Sequence, residues 1–367
     1  MILIPLLVFV GILMVLVLAH ELGHFVVARI FKIGVEEFGI GFPPKIVGVK
    51  RKGILYSLNW VPLGGFVRIK GESGGGTDDP SSFAGRGVWQ RALVLLAGVT
   101  MNVILAIVLL FIGLMVGLPS VVDSTTNRER VSNYEVQIAT VVPNTPASTS
   151  GIKQGDRVVS LNGEAITDAD QVSQRVNNEG GKEITLGVVR EGATLTFPVT
   201  PTTYEGRYVL GIELLPIGIV RYPPAEALLR SVQGSWYFIT ETSKALGTIV
   251  VGIVTERKLS NDVGGPVAIA VLTARAVNVG LGHVLQFAAL LSLNLALINV
   301  LPFPALDGGR VLFLIIEKLR RKPFPEHIEA WVHNAGFALL MVVVVLITYR
   351  DIVRFGSTIT SFVTRLL

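Results

Sequence analysis

From Ile2 to Ile30 the chain is almost unbroken apolar sequence, longer than the roughly 20 residues that cross the hydrocarbon core of a bilayer. In lipid, backbone N–H and C=O groups must be satisfied inside the segment, so this run predicts a helix and commits the chain to a membrane. Ala92 to Leu118 meets the same condition. A third run from Val284 to about Leu301 breaks at "PFPALDGG", and a fourth covers Trp331 to Tyr349. A 367-residue chain that is 50% hydrophobic and only 16% charged is too apolar for an ordinary soluble protein. No cationic stretch precedes the first run and no small-residue cleavage site ends it, so it is expected to stay in the chain.

The absence of cysteine excludes disulfides and thiolate ligands, which leaves His, Asp, Glu or Asn for any metal. The net charge of +5 is spread over several segments without aromatic interleaving. Cations beside lipid head groups account for it, and the bilayer rather than nucleic acid is the expected partner. Lys and Arg crowd the loop between the first two runs and the stretch Lys318 to Lys322 before the fourth. Both are expected to face the cytoplasm, which puts the segment between the second and third runs outside. Arg350 and Arg354 pull mildly the other way.

The segments between the runs differ in character. In 34–71 Gly and Pro turns separate strand-like stretches without a helical period, which predicts a small β-meander beside the first span. In 119–222, alternating strands with Asn-Gly and other turns predict a strand-rich soluble domain. In 223–283, charges such as Glu241 and Lys244 interrupt the apolar pattern, so the segment reads as an amphipathic, interfacial helical linker whose stretch Glu226 to Val254 lies at the interface. The expected architecture is a polytopic helical membrane protein of about four spans. Its halves are 1–118 and 284–367, with the soluble domain inserted between them.

The first run contains "VLAHELGHFVV", with His20, Glu21 and His24. Residues four apart in a helix lie on one face, about 6 Å along the axis, so two imidazoles can share one metal. Glu21 is three positions from His24 and can reach a water on that metal without being a ligand. A metal there acidifies the water and the glutamate takes its proton, which is the chemistry of zinc hydrolases. Ionisable groups at mid-span cost about 2.5 to 3.5 kcal/mol even on lenient scales, so they mark function.

A catalytic zinc takes three protein ligands, and the third must come from elsewhere. Asp307, at the end of the broken third run, is one candidate, although "LDGG" also reads as a helix C-terminal turn. His283, His327, His333 and Glu317 compete with it. Pro302 and Pro304 remove backbone donors, and irregular backbone at membrane depth implies a wet cavity near Asp307. Asn294 and Asn299 suit either backbone satisfaction or substrate holding, whereas helix packing explains Asn102.

With "HELGH", "NVLPFPALDGG" and a PDZ-like stretch "TPASTSGIKQGDRVVSLNGEAI" from Thr145 to Ile166, the chain resembles the bacterial site-2 proteases, intramembrane zinc metalloproteases with an extracytoplasmic PDZ domain. The resemblance extends over nearly the whole chain. It implies one Zn2+ held by His20, His24 and Asp307, with Glu21 as catalytic base. It places Gly64, Gly65 and Phe66 of the meander, together with Asn294, Asn299, Pro302 and Pro304, near the substrate. It puts a peptide groove at Leu210, Gly211 and Ile212. The implied substrates are single-span membrane proteins trimmed first by another protease, such as anti-sigma factors, or signal-peptide remnants. The implied location is the bacterial cytoplasmic (inner) membrane, with the active site toward the cytoplasmic half. Val99 departs from the Gly-Pro expected ahead of Asn102, which bears on local helix shape. A membrane metal transporter and a PDZ scaffold with a structural metal are the alternatives.

Overall fold

The computed structural model describes residues 3–72, 76, 78–122, 126–190, 192–256, 264–322 and 324–364. They form two units, one of Met1–Gly113 with Ala225–Leu367 and one of Leu114–Pro224.

The first unit begins with helix α1, Leu3–Ile30. Its buried positions Ile12, Leu16, His20, Gly23, His24 and Ala28 recur every three or four residues and form one stripe. Leu3, Leu6, Leu7, Val15 and Leu22 on the other side are exposed, as a lipid-facing surface requires. Strands β1, Val35–Arg51, and β2, Ile54–Ile69, form a long hairpin. Its turn is Lys52–Gly53, with φ of 51° and 84°, a two-residue turn whose twist suits a hairpin. The hairpin folds over on itself, so Phe38 lies beside Val67 on one side and Tyr56 on the other. Phe25 of α1 packs edge-on against Phe38 at 5.4 Å and Tyr56 at 6.4 Å, which seats the sheet on the helix. Helix α2, Val88–Val116, follows.

In the second unit, β3 is Leu118–Val121, β4 Val131–Val141, α3 Pro146–Thr149, β5 Arg157–Leu161, β6 Glu164–Ala165 and α4 Ala169–Glu179. β7 is Ile184–Arg190, β8 Ala193–Val199, β9 Thr202–Tyr204, β10 Arg207–Val209 and β11 Ile212–Val220. The sheet order is β3-β11-β4-β5-β7-β8, with β6 beside β5 and β9–β10 as a separate hairpin. Asn162 and Gly163 both take positive φ, 51° and 81°, and turn β5 into β6. Val136, Ile138, Val158, Leu186 and Val188 from the sheet close over Val172 and Val176 of α4. Asp156 is buried and accepts hydrogen bonds from Arg190 Nε and Nη2, each at 2.7 Å, and from the Lys153 N–H at 2.9 Å. Burial pushes this carboxyl up, but Arg190 and the Lys153 N–H outweigh burial and hold it below the ordinary range.

The chain returns to the first unit through helix α5, Pro224–Glu256, then α6 Pro266–Val279, α7 Leu281–Val300, α8 Asp307–Arg320 and α9 Glu326–Thr364. Among the described residues four helices are long and apolar enough to cross a membrane: Leu3–Ile30, Val88–Val116, Leu281–Val300 and His327–Gly356. The strand-rich segment and the four apolar helices agree with the sequence reading at this level. α5, which carries the stretch expected to lie at the interface, is not among the four. α6 packs against α1, α7 and α9, which a linker reading of 223–283 does not anticipate. Its N-terminus is held by Asp351 of α9, whose Oδ2 accepts the Gly265 and Ala268 N–H groups at 2.9 Å each.

One expectation is corrected. Asp307 does not end a helix in a C-terminal turn; it opens α8, after the break Leu301–Leu306. The reason is steric. A Cβ on Gly308 would stand 2.2 Å from the Val300 oxygen, and one on Gly309 would stand 2.3 Å from the Phe303 oxygen. The glycine pair is what lets the chain reverse tightly enough for α8 to start against the end of α7.

Candidate metal centre

His20 and His24 point from the buried stripe of α1 toward Asp307 at the first turn of α8. The His20 Nε2 atom lies 3.0 Å and the His24 Nε2 atom 3.6 Å from Asp307 Oδ2. The two Nε2 atoms are 3.1 Å apart. Among the described residues this is the one group of three or more His, Asp or Glu whose donor atoms converge in this way. Of the competitors, Glu317 pairs with Arg91 at 2.5 Å and His333 Nδ1 accepts the Ala305 N–H at 2.9 Å. His283 and His327 are not in the cluster either.

The triangle has the dimensions a tetrahedral zinc needs. Ligand bonds of about 2.0–2.1 Å put neighbouring donor atoms about 3.3 Å apart, and the three observed edges bracket that value. Asp307 Oδ2 is buried and faces the two imidazole nitrogens, an arrangement of three converging donor atoms that suits a cation between them. Its position at the start of α8 adds the positive end of the helix dipole. His24 is already in the ligating tautomer, because its Nδ1 donates to the Val94 carbonyl at 2.8 Å and leaves Nε2 a free lone pair.

Residues that carry no chemistry make this possible. A Cβ on Gly98 would lie 2.5 Å from His24 Nε2 and 2.7 Å from His20 Nε2, and one on Gly23 would lie 2.3 Å from the Ala97 oxygen. α1 and α2 therefore cross at two glycines, with both imidazoles packed onto the backbone of α2. Val99 stands where the Gly-Pro pattern expects the proline, and α2 runs continuously from Val88 to Val116.

Glu21 stands apart from the triangle. Its Oε2 accepts the Val67 N–H of β2 at 3.0 Å. The stretch Gly65–Ile69 pairs with β1 on one side only, so its other edge is the one that meets Glu21. Gly64 and Gly65 seat this edge, since a Cβ on either would fall within 2.8 Å of Val17 or Leu18, the turn of α1 before His20. Phe66 packs over Gly39. Asn294 and Asn299 are half-buried on α7. Pro302 and Pro304 lie in the break, where Gly336 of α9 packs onto Pro304. Sequence reasoning missed the Val67 N–H, the Val94 carbonyl and Gly98. The first two are backbone groups that no residue type announces, and only the glycine in "AGVTMN" offered a signal.

In the second unit a groove of about 480 Å³ lies between α4 and β10–β11, lined by Val172, Val176, Asn177, Tyr208, Leu210 and Ile212. Gly211 does not line it; at φ 79° its α-carbon backs onto Thr145. The Leu210 and Gly211 carbonyls accept the Ala147 and Val142 N–H groups at 3.0 and 2.9 Å.

A sequence profile of peptidase family M50 matches residues 8–343. The chain belongs to peptidase family M50. This M50 peptidase is 39% identical to a Clostridium perfringens protein named for a zinc metalloprotease, over 92% of this chain and 95% of that one. It is 30% identical to the zinc metalloprotease RasP of Geobacillus kaustophilus, over 93% and 96%. It is also 30% identical to the regulator of sigma-W protease RasP of Bacillus subtilis, over 92% and 96%. The PDZ domain of an SdrC-like protein from Listeria monocytogenes superposes on 22% of this chain and 85% of that one, at 17% identity and a TM-score of 0.20, too loosely to bear on the fold. The M50 peptidase is a metalloprotease and a membrane protein, and zinc is the metal its family uses. The site-2 protease resemblance read from the motifs thus holds at the level of the family.

Proposed function

We propose that this M50 peptidase is an intramembrane endopeptidase that cuts single-span membrane proteins, with one zinc held by His20, His24 and Asp307. The observation that carries this reading is the triangle of 3.0, 3.1 and 3.6 Å between three buried donor atoms from α1 and α8. Zinc bound there would supply a Lewis acid and an acidified water. Glu21 is the base: it sits beside the ligands without joining them and takes the proton of the attacking water, then delivers it to the leaving amine. A transmembrane substrate hides its peptide bonds in its own helix and must be unwound to react. The half-paired edge Gly65–Ile69 can re-satisfy the unwound backbone by strand addition. Gly64, Gly65 and Phe66 set the height of that edge over α1, and Asn294, Asn299, Pro302 and Pro304 border the opposite side of the substrate path.

The remaining parts of the proposal follow from sequence and family. The protein spans the bacterial cytoplasmic membrane four times, with the active site in the cytoplasmic half and halves bounded near 1–118 and 284–367. The inserted unit is a PDZ-like domain on the outer side, its groove at Leu210 and Ile212 admitting substrates another protease has shortened. The relative named regulator of sigma-W protease supports membrane-tethered regulators such as anti-sigma factors as the substrate class. The deciding experiment is Glu21→Gln, with cleavage of a single-span reporter and zinc content measured together. Lost cleavage with zinc retained supports the reading. Retained cleavage overturns it, and a metal transporter would keep its transport in this variant.

A further inference from the structure

Zinc ligation by histidine requires the ligating nitrogen to be free of its proton, and a partner at the other nitrogen decides where that proton sits. For His24 the partner is the Val94 carbonyl, which can only accept. For His20 the group facing Nδ1 is the side-chain amide of Asn102, whose Nδ2 stands 3.3 Å away in this structure. An amide presents either an oxygen that accepts or a nitrogen that donates, and a half-turn about its last side-chain bond exchanges the two.

The two orientations have opposite consequences for the centre. With the nitrogen toward His20, Nδ1 accepts and the proton sits on Nε2, inside the triangle with His24 and Asp307. That nitrogen then cannot ligate. With the oxygen toward His20, Nδ1 donates and Nε2 offers its lone pair. We propose that Asn102 is a positioning residue that sets the tautomer of His20, its amide oxygen accepting the Nδ1 proton in the zinc-loaded protein. The inference rests on the zinc reading above.

Two further observations carry it. Asn102 is fully buried at 0% exposure, and its Oδ1 has no hydrogen-bond partner. A residue kept only to pack helices would not need an acceptor that finds nothing to accept. Its backbone is also fixed, because the Asn102 carbonyl accepts the Ser292 hydroxyl of α7 at 2.8 Å. α2 is thus held to α7 at this residue, and rotation of the amide is the motion left to it. The metal-free and metal-ready forms of His20 correspond to its two settings.

The test is zinc affinity of the full chain in detergent, by competition with a colorimetric chelator, for the wild type, His20→Ala, Asn102→Leu and Asn102→Asp. Leu fills a similar volume and removes the acceptor, whereas Asp offers oxygens only. Loss of a partner at the second nitrogen of a ligand typically weakens binding about 10- to 100-fold. Asn102→Leu is expected to weaken zinc tenfold or more and Asn102→Asp to stay within tenfold of wild type. Asn102→Leu within tenfold of wild type, or Asn102→Asp weakened tenfold or more, overturns the proposal. If Asn102→Leu does not fold, the Asp arm decides alone. If His20→Ala itself leaves affinity unchanged, the zinc reading has failed; if it abolishes binding while the Asn102 variants behave alike, only this inference has. At saturating zinc, Asn102→Leu should regain cleavage, which a collapsed helix packing would not allow.

Discussion

Gly98→Ala tests the metal centre through a residue with no chemistry of its own. The added Cβ would stand 2.5 Å from His24 Nε2, 2.6 Å from His20 Cε1 and 2.7 Å from His20 Nε2. Ordinary contact begins near 3.4 Å, so the rings must retreat by up to about 0.9 Å, whereas zinc sites tolerate about 0.2 Å in ligand distance. Without a metal the rings have only their packing and hydrogen bonds such as that of His24 to Val94 to give up. In the loaded protein they cannot retreat, so the strain appears as lost affinity. Overpacking of this kind costs about 1–3 kcal/mol, which is roughly a 5- to 150-fold weaker zinc site. The assay is zinc content after equilibration in zinc buffers, with reporter cleavage alongside. Gly11→Ala on α1 is the control, since a Cβ there meets nothing within 4 Å. Wild-type zinc affinity in Gly98→Ala would refute the reasoning that the imidazoles are seated on α2.

Glu21→Gln should lower the cleavage rate by about 10²- to 10⁴-fold without lowering zinc content, measured on a single-span reporter. Asp307→Ala should lose zinc and cleavage together, and dialysis against a chelator should silence the wild type until zinc is returned. Asp156→Asn should destabilise the inserted unit by about 3–5 kcal/mol, because Arg190 is left beside a neutral partner, and thermal unfolding followed within that unit reads it. Because the Asp156 carboxyl is held below its ordinary range, its stabilisation is full above about pH 4 and is lost as pH falls through the lower folded value. A pH series of wild type against Asp156→Asn should therefore converge only in acid.

The apolar runs were legible because lipid leaves one backbone solution per span, and "HELGH" was legible because polar groups there are expensive. The strand character of 34–71 and of the insert was legible from Gly, Pro and Asn-Gly turns, but the expected meander is one folded-over hairpin of two long strands. Asp307 stood out as a candidate, but not its setting: whether "LDGG" ends or begins a helix depends on how closely Gly308 can approach Val300, a tertiary contact. The folded-over register that puts Phe38 between Val67 and Tyr56 is likewise invisible in alternation alone. So is the edge N–H of Val67, because the backbone is the same at every position. Where α6 starts within the helical linker escaped because Gly265 offers no capping side chain; the cap comes from Asp351, far along the chain.

The triangle joins residues far apart along the chain: Asp307 comes some 280 residues after His24. At about 5–20 residues per second, synthesis takes about 15–60 s to pass from the second histidine to the aspartate. Throughout that interval the first apolar helix has been made and Asp307 has not. On the proposed ligand set, two of the three metal ligands exist by then and the third does not. On that ligand set the distance along the chain acts as a delay timer, because a product cut short before Asp307 lacks the third ligand.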